Sequence, residues 1–120
     1  NKKKKVLDYD DDYDDEYGMD VNALGNARVS YEEIKIIKST VSVLNDIRDA
    51  ATNPQHMKTE TAREILNELV QIQKKLAIII QLENFKDDLE RMNCLDLNDA
   101  INDAVSTYHD RYNQLKKMVY

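Results

Sequence analysis

The side chains able to do chemistry are few and scattered. Tyr108, His109, Asp110 and Arg111 stand in succession, a set of types that can relay protons. On a helix, however, neighbours in sequence point in different directions and cannot meet. The spacing predicts a solvated helix face. Glu83, Asp87, Asp88 and Glu90 form an acidic cluster in which Glu83 and Asp87, four residues apart, would share a face of one helix. Paired carboxylates bind metals in helical bundles when a Glu-x-x-His pattern accompanies them, and neither His56 nor His109 stands three residues after a Glu. His56 follows Pro54 and Gln55 and reads as a turn histidine, exposed or bonded to the turn backbone. Cys94 is the single cysteine. It allows no internal disulfide, suits a reducing compartment, and without an adjacent His reads as a buried or semi-buried thiol. There is no phosphate-binding loop, glycine-rich dinucleotide turn or paired-cysteine metal site. The sequence therefore assigns no catalytic, cofactor-binding or metal-binding residue, and the expectation is a protein that is not an enzyme.

Charge carries more information than reactive groups do. The formal net charge is -6, and Asp8 to Asp20 holds eight acids and no base. Such a balance disfavours whole-protein attraction to nucleic acid or to an anionic membrane. Local contacts with DNA would fall to Lys35, Lys38, Lys74 and Lys75, whose weak individual contributions would add if the chain repeated around a ring. Within the acidic segment Tyr9, Tyr13 and Tyr17 recur every four residues beside Asp11, Asp12 and Asp15. The segment is expected to be disordered when the protein is alone, because its low hydrophobicity cannot offset the entropy of ordering. It reads either as a solvated acidic tail or as a partner-docking tail that orders on a basic groove. Lys2 to Lys5 open the segment without the apolar stretch of a secretory signal. No apolar run approaches the roughly 20 residues of a membrane span. The expectation is a soluble, intracellular protein with no membrane partner and no small-molecule substrate.

These residues must be positioned by helices. Two Gly and one Pro in 120 residues leave little material for turns. Ser30 to Glu33 is a capping box, in which the serine hydroxyl accepts from the amide three residues on and Glu33 reaches back. Ile34, Ile37, Val41, Leu44 and Ile47 then form one stripe, widened by Ile36 and Val43. Thr52, Asn53 and Pro54 break this helix, and Asn53 or Thr61 would cap the next one. From Thr59 to Met92 no Gly or Pro interrupts, and apolar positions step by three and four. Its stripe shifts from Leu69, Ile72, Leu76 and Ile79 to Leu82, Phe85, Leu89 and Met92. Around Ala77 to Ile80 the apolar character wraps the whole circumference. Such a girdle needs cover on several sides, so Leu76, Ala77, Ile79, Ile80, Leu82 and Phe85 are the expected contacts between subunits. Asn93 to Asp96 reads as the next break, before a third helix carrying Leu97, Ile101, Ala104, Tyr108, Leu115 and Val119.

The sequence thus predicts an all-α protein with a flexible acidic and aromatic tail over 1–28 and a helical domain over 29–120. Its helices would cover about 30–51, 54–92 and 96–119, the long central helix packed against two flanking ones in an oligomer.

The segment from Tyr17 to Leu76 resembles the central region of the DNA-packaging small terminase subunits of large contractile-tailed phages. The likeness is carried by Asp14, Asp15, Glu16, Tyr17, Gly18 and by Asn26, Ala27, Arg28 before the first helix. It continues through Asn53, Pro54, Gln55, His56, Met57 at the hairpin turn and Leu69 to Leu76 at the end of the second helix. The chain departs from the family in having Gln55 and Lys58 where an arginine and a glutamate are usual after the proline, and its third helix lies outside the likeness. What the resemblance implies is a helical-hairpin protomer without activity of its own, assembling into a ring, recognising phage DNA ends and stimulating the ATPase of a large motor subunit in the host cytoplasm. The other function compatible with the residues is a coiled-coil or helical-bundle interaction protein whose acidic tail recruits a protein partner.

Overall fold

The computed structural model describes residues 27–118, and the tail positions Tyr9, Asp11, Asp12, Tyr13, Asp15 and Tyr17 lie outside them. Three helices follow one another: α1 (Tyr31–Ala50), α2 (Glu60–Leu82) and α3 (Asp88–Met118), with a single 3₁₀ turn (Pro54–Met57) between the first two. The all-α, three-helix architecture is the expected one, and no strand occurs among the described residues.

Each helix starts where a side chain can satisfy amides that have no partner within the helix. At α1 the capping box forms as written in the sequence: Glu33 N donates to Ser30 Oγ at 3.1 Å and Ser30 N donates to Glu33 Oε1 at 2.9 Å. Asn53 is extended, as a residue before proline must be, and its Oδ1 accepts from His56 N at 3.2 Å. It caps only the 3₁₀ turn. The cap of α2 is Thr59, whose Oγ1 accepts from Ala62 N at 3.1 Å, so the helix starts neither at Pro54 nor after Thr61.

The largest departure from expectation is the end of α2. Helix two does not run on to Met92; it stops at Leu82. Glu83 adopts a left-handed conformation, φ 57° and ψ 40°, and Asn84 N donates back to Ile79 O at 3.1 Å while Glu83 N donates to Ile80 O at 3.2 Å. This is the Schellman arrangement, which satisfies the last carbonyls and is usually built on glycine. Asp87 then opens α3, its Oδ1 accepting from Glu90 N at 2.9 Å. Asn93 to Asp96 is therefore no break, and Cys94 and Leu97 are core positions of a continuous helix. The longest helix is α3, with 31 residues against 23 for α2.

The chain runs up, down and up. Arg28 bonds Glu90, Arg48 bonds Thr107 and Arg111 bonds the Ala51 carbonyl, separations of 62, 59 and 60 residues that hold α1 and α3 parallel in one register. Glu33 near the start of α1 meets Lys75 late in α2, as an antiparallel pair requires. The core is filled by Ile34, Ile37, Val41 and Leu44 from α1, Leu66, Leu69, Leu76 and Ile79 from α2, and Leu97, Ile101, Tyr108 and Leu115 from α3. Burying one Leu or Ile side chain contributes roughly 1.5–3 kcal/mol. The α3 helix packs against both others more extensively than they pack against each other, which leaves the bundle open on one side. Ile36 and Val43 look out on that side instead of widening the core stripe.

Candidate functional site

Two surface features are built by this arrangement. The first lies at the elbow between α2 and α3, the end where α1 and α3 both begin. Leu82, Leu89 and Met92 stand there 48%, 67% and 58% exposed, beside the half-buried Phe85. A hollow of about 460 Å³ separates the first turns of α1 and α3, with Tyr31 and Leu89 on its walls and Arg28, Lys86 and Glu90 among its polar lining. Arg28 clamps Glu90 with two bonds, Nε to Oε1 at 3.1 Å and Nη2 to Oε2 at 2.9 Å. Lys86 N also donates to Glu90 Oε1 at 2.8 Å. The Arg28 guanidinium, assisted by that amide, holds the Glu90 carboxyl below its ordinary range against the opposing effect of burial. This cluster ties the chain entering α1 to the elbow.

The second feature is a groove of about 280 Å³ between α1 and α2. Its walls are apolar, from Val29, Ile36, Ile37 and Ile72, and its polar lining is Glu33, Glu68 and Lys75. Lys75 Nζ lies 3.9 Å from Glu33 Oε2. The Ser30 amide, more than Lys75, keeps the Glu33 carboxyl below its usual range.

Of the expected subunit-contact residues, the structure divides the girdle. Leu76 and Ile79 are fully buried inside a single chain, in the core that the three helices share. Ile80 and Phe85 are half-buried against the same core, while Ala77 and Leu82 are exposed. Only Ala77, Leu82 and parts of Ile80 and Phe85 remain available to another subunit.

Two of the four lysines expected to meet DNA are engaged within the chain. Lys35 lies over the Tyr31 ring, 5.3 Å from its centroid, and Lys75 turns toward Glu33. Tyr31 and Lys35 lie on a flank of α1 away from Glu33, since residues two apart on a helix are displaced by about 200°. Lys38 is exposed and Lys74 half-buried.

The remaining reactive side chains serve the packing. Glu83 and Asp87 sit on opposite sides of the elbow, so they share no helix face. Among the described residues no group of three His, Cys, Asp or Glu side chains could hold a metal ion, and no polar or charged residue is buried as a whole. Thr52 N donates to His56 Nδ1 at 3.2 Å, which spends that histidine on the turn. Tyr108 is fully buried and its hydroxyl donates to Met57 O at 2.7 Å, directed away from any reaction with its neighbours. Cys94 is buried and free; burial first, and then the Glu90 charge, push its thiol up, so the reactive thiolate is disfavoured.

What reasoning from the sequence missed was the elbow itself. The signal was present: Asp87, Asp88, Leu89, Glu90 is a helix-start pattern with the acid three residues on. Comparison with protein-family models, curated proteins and solved structures finds no match to this chain.

Proposed function

We propose that the chain is a non-enzymatic helical adaptor that works by binding other macromolecules, beginning with further copies of itself. The observation that supports this is the set of large apolar side chains at the elbow end, Leu82, Leu89 and Met92, left in water by one chain alone. Apolar surface gathered in this way marks contact sites on proteins. The specific form we infer is a small-terminase-like DNA-packaging adaptor. What supports it is that the resembling residues Asn53 to Met57 and Leu69 to Leu76 fall on the turn between α1 and α2 and on α2, with Ala27 and Arg28 just before α1. In that form the chain recognises DNA and regulates a motor ATPase as a ring. The second form is a bundle scaffold of few copies whose acidic segment recruits a protein. Native mass spectrometry of the full chain separates them. A closed ring of roughly eight to twelve copies supports the packaging adaptor, and a dimer, trimer or tetramer supports the scaffold. A chain that stays monomeric at high concentration refutes self-assembly, and unchanged assembly of a variant carrying Leu89→Ser and Met92→Ser refutes the elbow as its seat.

A further inference from the structure

Helix α1 carries two apolar stripes rather than one. Ile34, Ile37, Val41 and Leu44, spaced three, four and three, face the core and are buried. Ile36, Thr40, Val43 and Ile47, spaced four, three and four, run along a second line of the same helix, and on this line Ile36 is 63% and Val43 45% exposed. Alternating steps of three and four are the spacing of a helix-helix seam. Ile47 packs against the core, and among the described residues no helix covers Ile36 and Val43. Across the groove stand Ile72, level with Ile36, and Ile65, which the antiparallel register set by Glu33 and Lys75 brings level with Val43. The open side of the bundle is where a fourth helix would complete the packing around α1 and α2.

We propose that the α1–α2 groove is a docking site for an amphipathic helix of another protein, one whose apolar stripe is flanked by Lys or Arg. The charges bordering the groove select that partner. By helix position Glu32 and Asp46 flank the α1 stripe together with one base, Lys35, which lies over the Tyr31 ring. Glu33 and Glu68 line the groove, whose one lining base, Lys75, is turned to Glu33. A second copy of this chain fits poorly. Two α1 helices crossing antiparallel over this seam would bring Glu32 of one near Asp46 of the other, and the chain as a whole carries a net charge of -6. The seam from Ile36 to Ile47 is about three turns, or ~17 Å, long. A partner helix of some three turns, reading with apolar residues at i, i+3 or i+4 and i+7, is enough to fill it. The groove adjoins the elbow hollow through Val29 and Glu33, but Ile36, Ile72 and Glu68 line the groove alone, so the two sites can be tested separately.

The test uses the full chain and three labelled synthetic peptides of about 15 residues: a Leu-striped helix flanked by Lys, the same stripe flanked by Glu, and a scramble of the first that has no stripe. Fluorescence anisotropy is expected to show the Lys-flanked helix binding at least about tenfold more tightly than either other peptide. Replacing Ile36→Gln together with Val43→Gln should remove that preference. Both positions are exposed, so the fold, checked by circular dichroism, is retained. Charge reversal by Glu68→Lys should weaken the same peptide without affecting the scramble. Equal binding of the scramble means attraction to acidic charge alone and overturns the proposal. So does undiminished binding by the Ile36→Gln, Val43→Gln variant. If that variant instead abolishes a dimer of the free chain, the occupant is a second copy. If Val6→Ser with Leu7→Ser raises peptide affinity about tenfold, the occupant is the chain's own opening segment. Either result overturns a partner supplied by another protein.

Discussion

Glu83→Gly is the substitution whose sign separates the elbow from an uninterrupted second helix. In the structure Glu83 is left-handed, with φ 57°, and is the non-glycine residue with positive φ among those described. A left-handed conformation costs an ordinary L-residue roughly 1–2 kcal/mol, and glycine adopts it without that penalty. Against the gain stands the greater freedom of glycine in the unfolded chain, about 0.4–1 kcal/mol. The Arg91 Nε to Glu83 Oε1 contact at 3.9 Å is lost, but both side chains are largely exposed and such pairs contribute little. The balance is a stabilisation of about 0.5–1 kcal/mol. For a folded region of this size that raises the melting temperature by a few degrees, at about 4–8 °C per kcal/mol. Were residue 83 in the interior of a continuous helix, the same change would destabilise by about 1 kcal/mol, the cost of glycine in a helix. Ala77→Gly, on the exposed side of α2, supplies that control and should lose about 1 kcal/mol. Thermal and urea unfolding followed by far-ultraviolet circular dichroism would decide the matter. Destabilisation of Glu83→Gly comparable with Ala77→Gly would overturn the elbow and restore the straight helix.

Three further outcomes follow from the packing. Tyr108→Phe removes a buried hydroxyl from the Met57 carbonyl and should cost about 1–3 kcal/mol in urea unfolding with helical content unchanged; a loss under about 0.5 kcal/mol would show the bond to be dispensable. Glu90 has its carboxyl held low by Arg28, so the stabilisation it contributes is present near neutral pH and is lost as pH falls through its folded pKa. The gap in urea midpoint between the parent and Glu90→Gln should therefore be widest near neutrality and narrow as pH falls through and below the ordinary carboxylate range; a gap unchanged on acidification would refute the role of that ion pair. Cys94, buried with its thiol pushed up, should react with a disulfide reagent at least about a hundredfold more slowly in the folded chain than in denaturant, and equal rates would place it at the surface.

The helix starts were legible where a side chain writes its own hydrogen bond into the sequence. Ser30 with Glu33 forms the contacts that their types and spacing announce, whereas Asn53 makes its expected cap on a 3₁₀ turn only and α2 starts later, at Thr59. The end of α2 was not legible, because the residue there is Glu, a good helix former, in a conformation that normally selects Gly. Tertiary packing overrides local preference at that point. Phe85 and Ile80 pack against the core once the chain turns, and the Arg28–Glu90 clamp ties the turn to the entrance of α1, a partnership 62 residues apart that no local pattern contains. All-round apolar character at Leu76 to Ile80 predicts cover on several sides. The single chain buries only Leu76 and Ile79 and leaves Ala77 exposed, which reassigns Leu76 and Ile79 from a subunit contact to the core.

That reassignment changes which substitution can report on assembly. An Ile79→Asp chain would place an unpaired charge where no water reaches, a cost of several kcal/mol borne by the folding of the single chain. Any assembly it lost would be lost by unfolding, whatever surface joins the subunits. Leu89→Ser and Met92→Ser remove apolar surface that the single chain leaves in water, so folding is affected within about 0.5 kcal/mol each while a contact at the elbow would lose its apolar centre. The groove is separable by the same reasoning. Ile36 and Val43 lie on α1 outside the lining of the elbow hollow, and their replacement should leave elbow assembly intact while removing the seat for a partner helix. A variant pair in which each change removes one association and spares the other would show two independent binding faces on one small bundle. Loss of both by either change would mean that a single extended surface does the work of both.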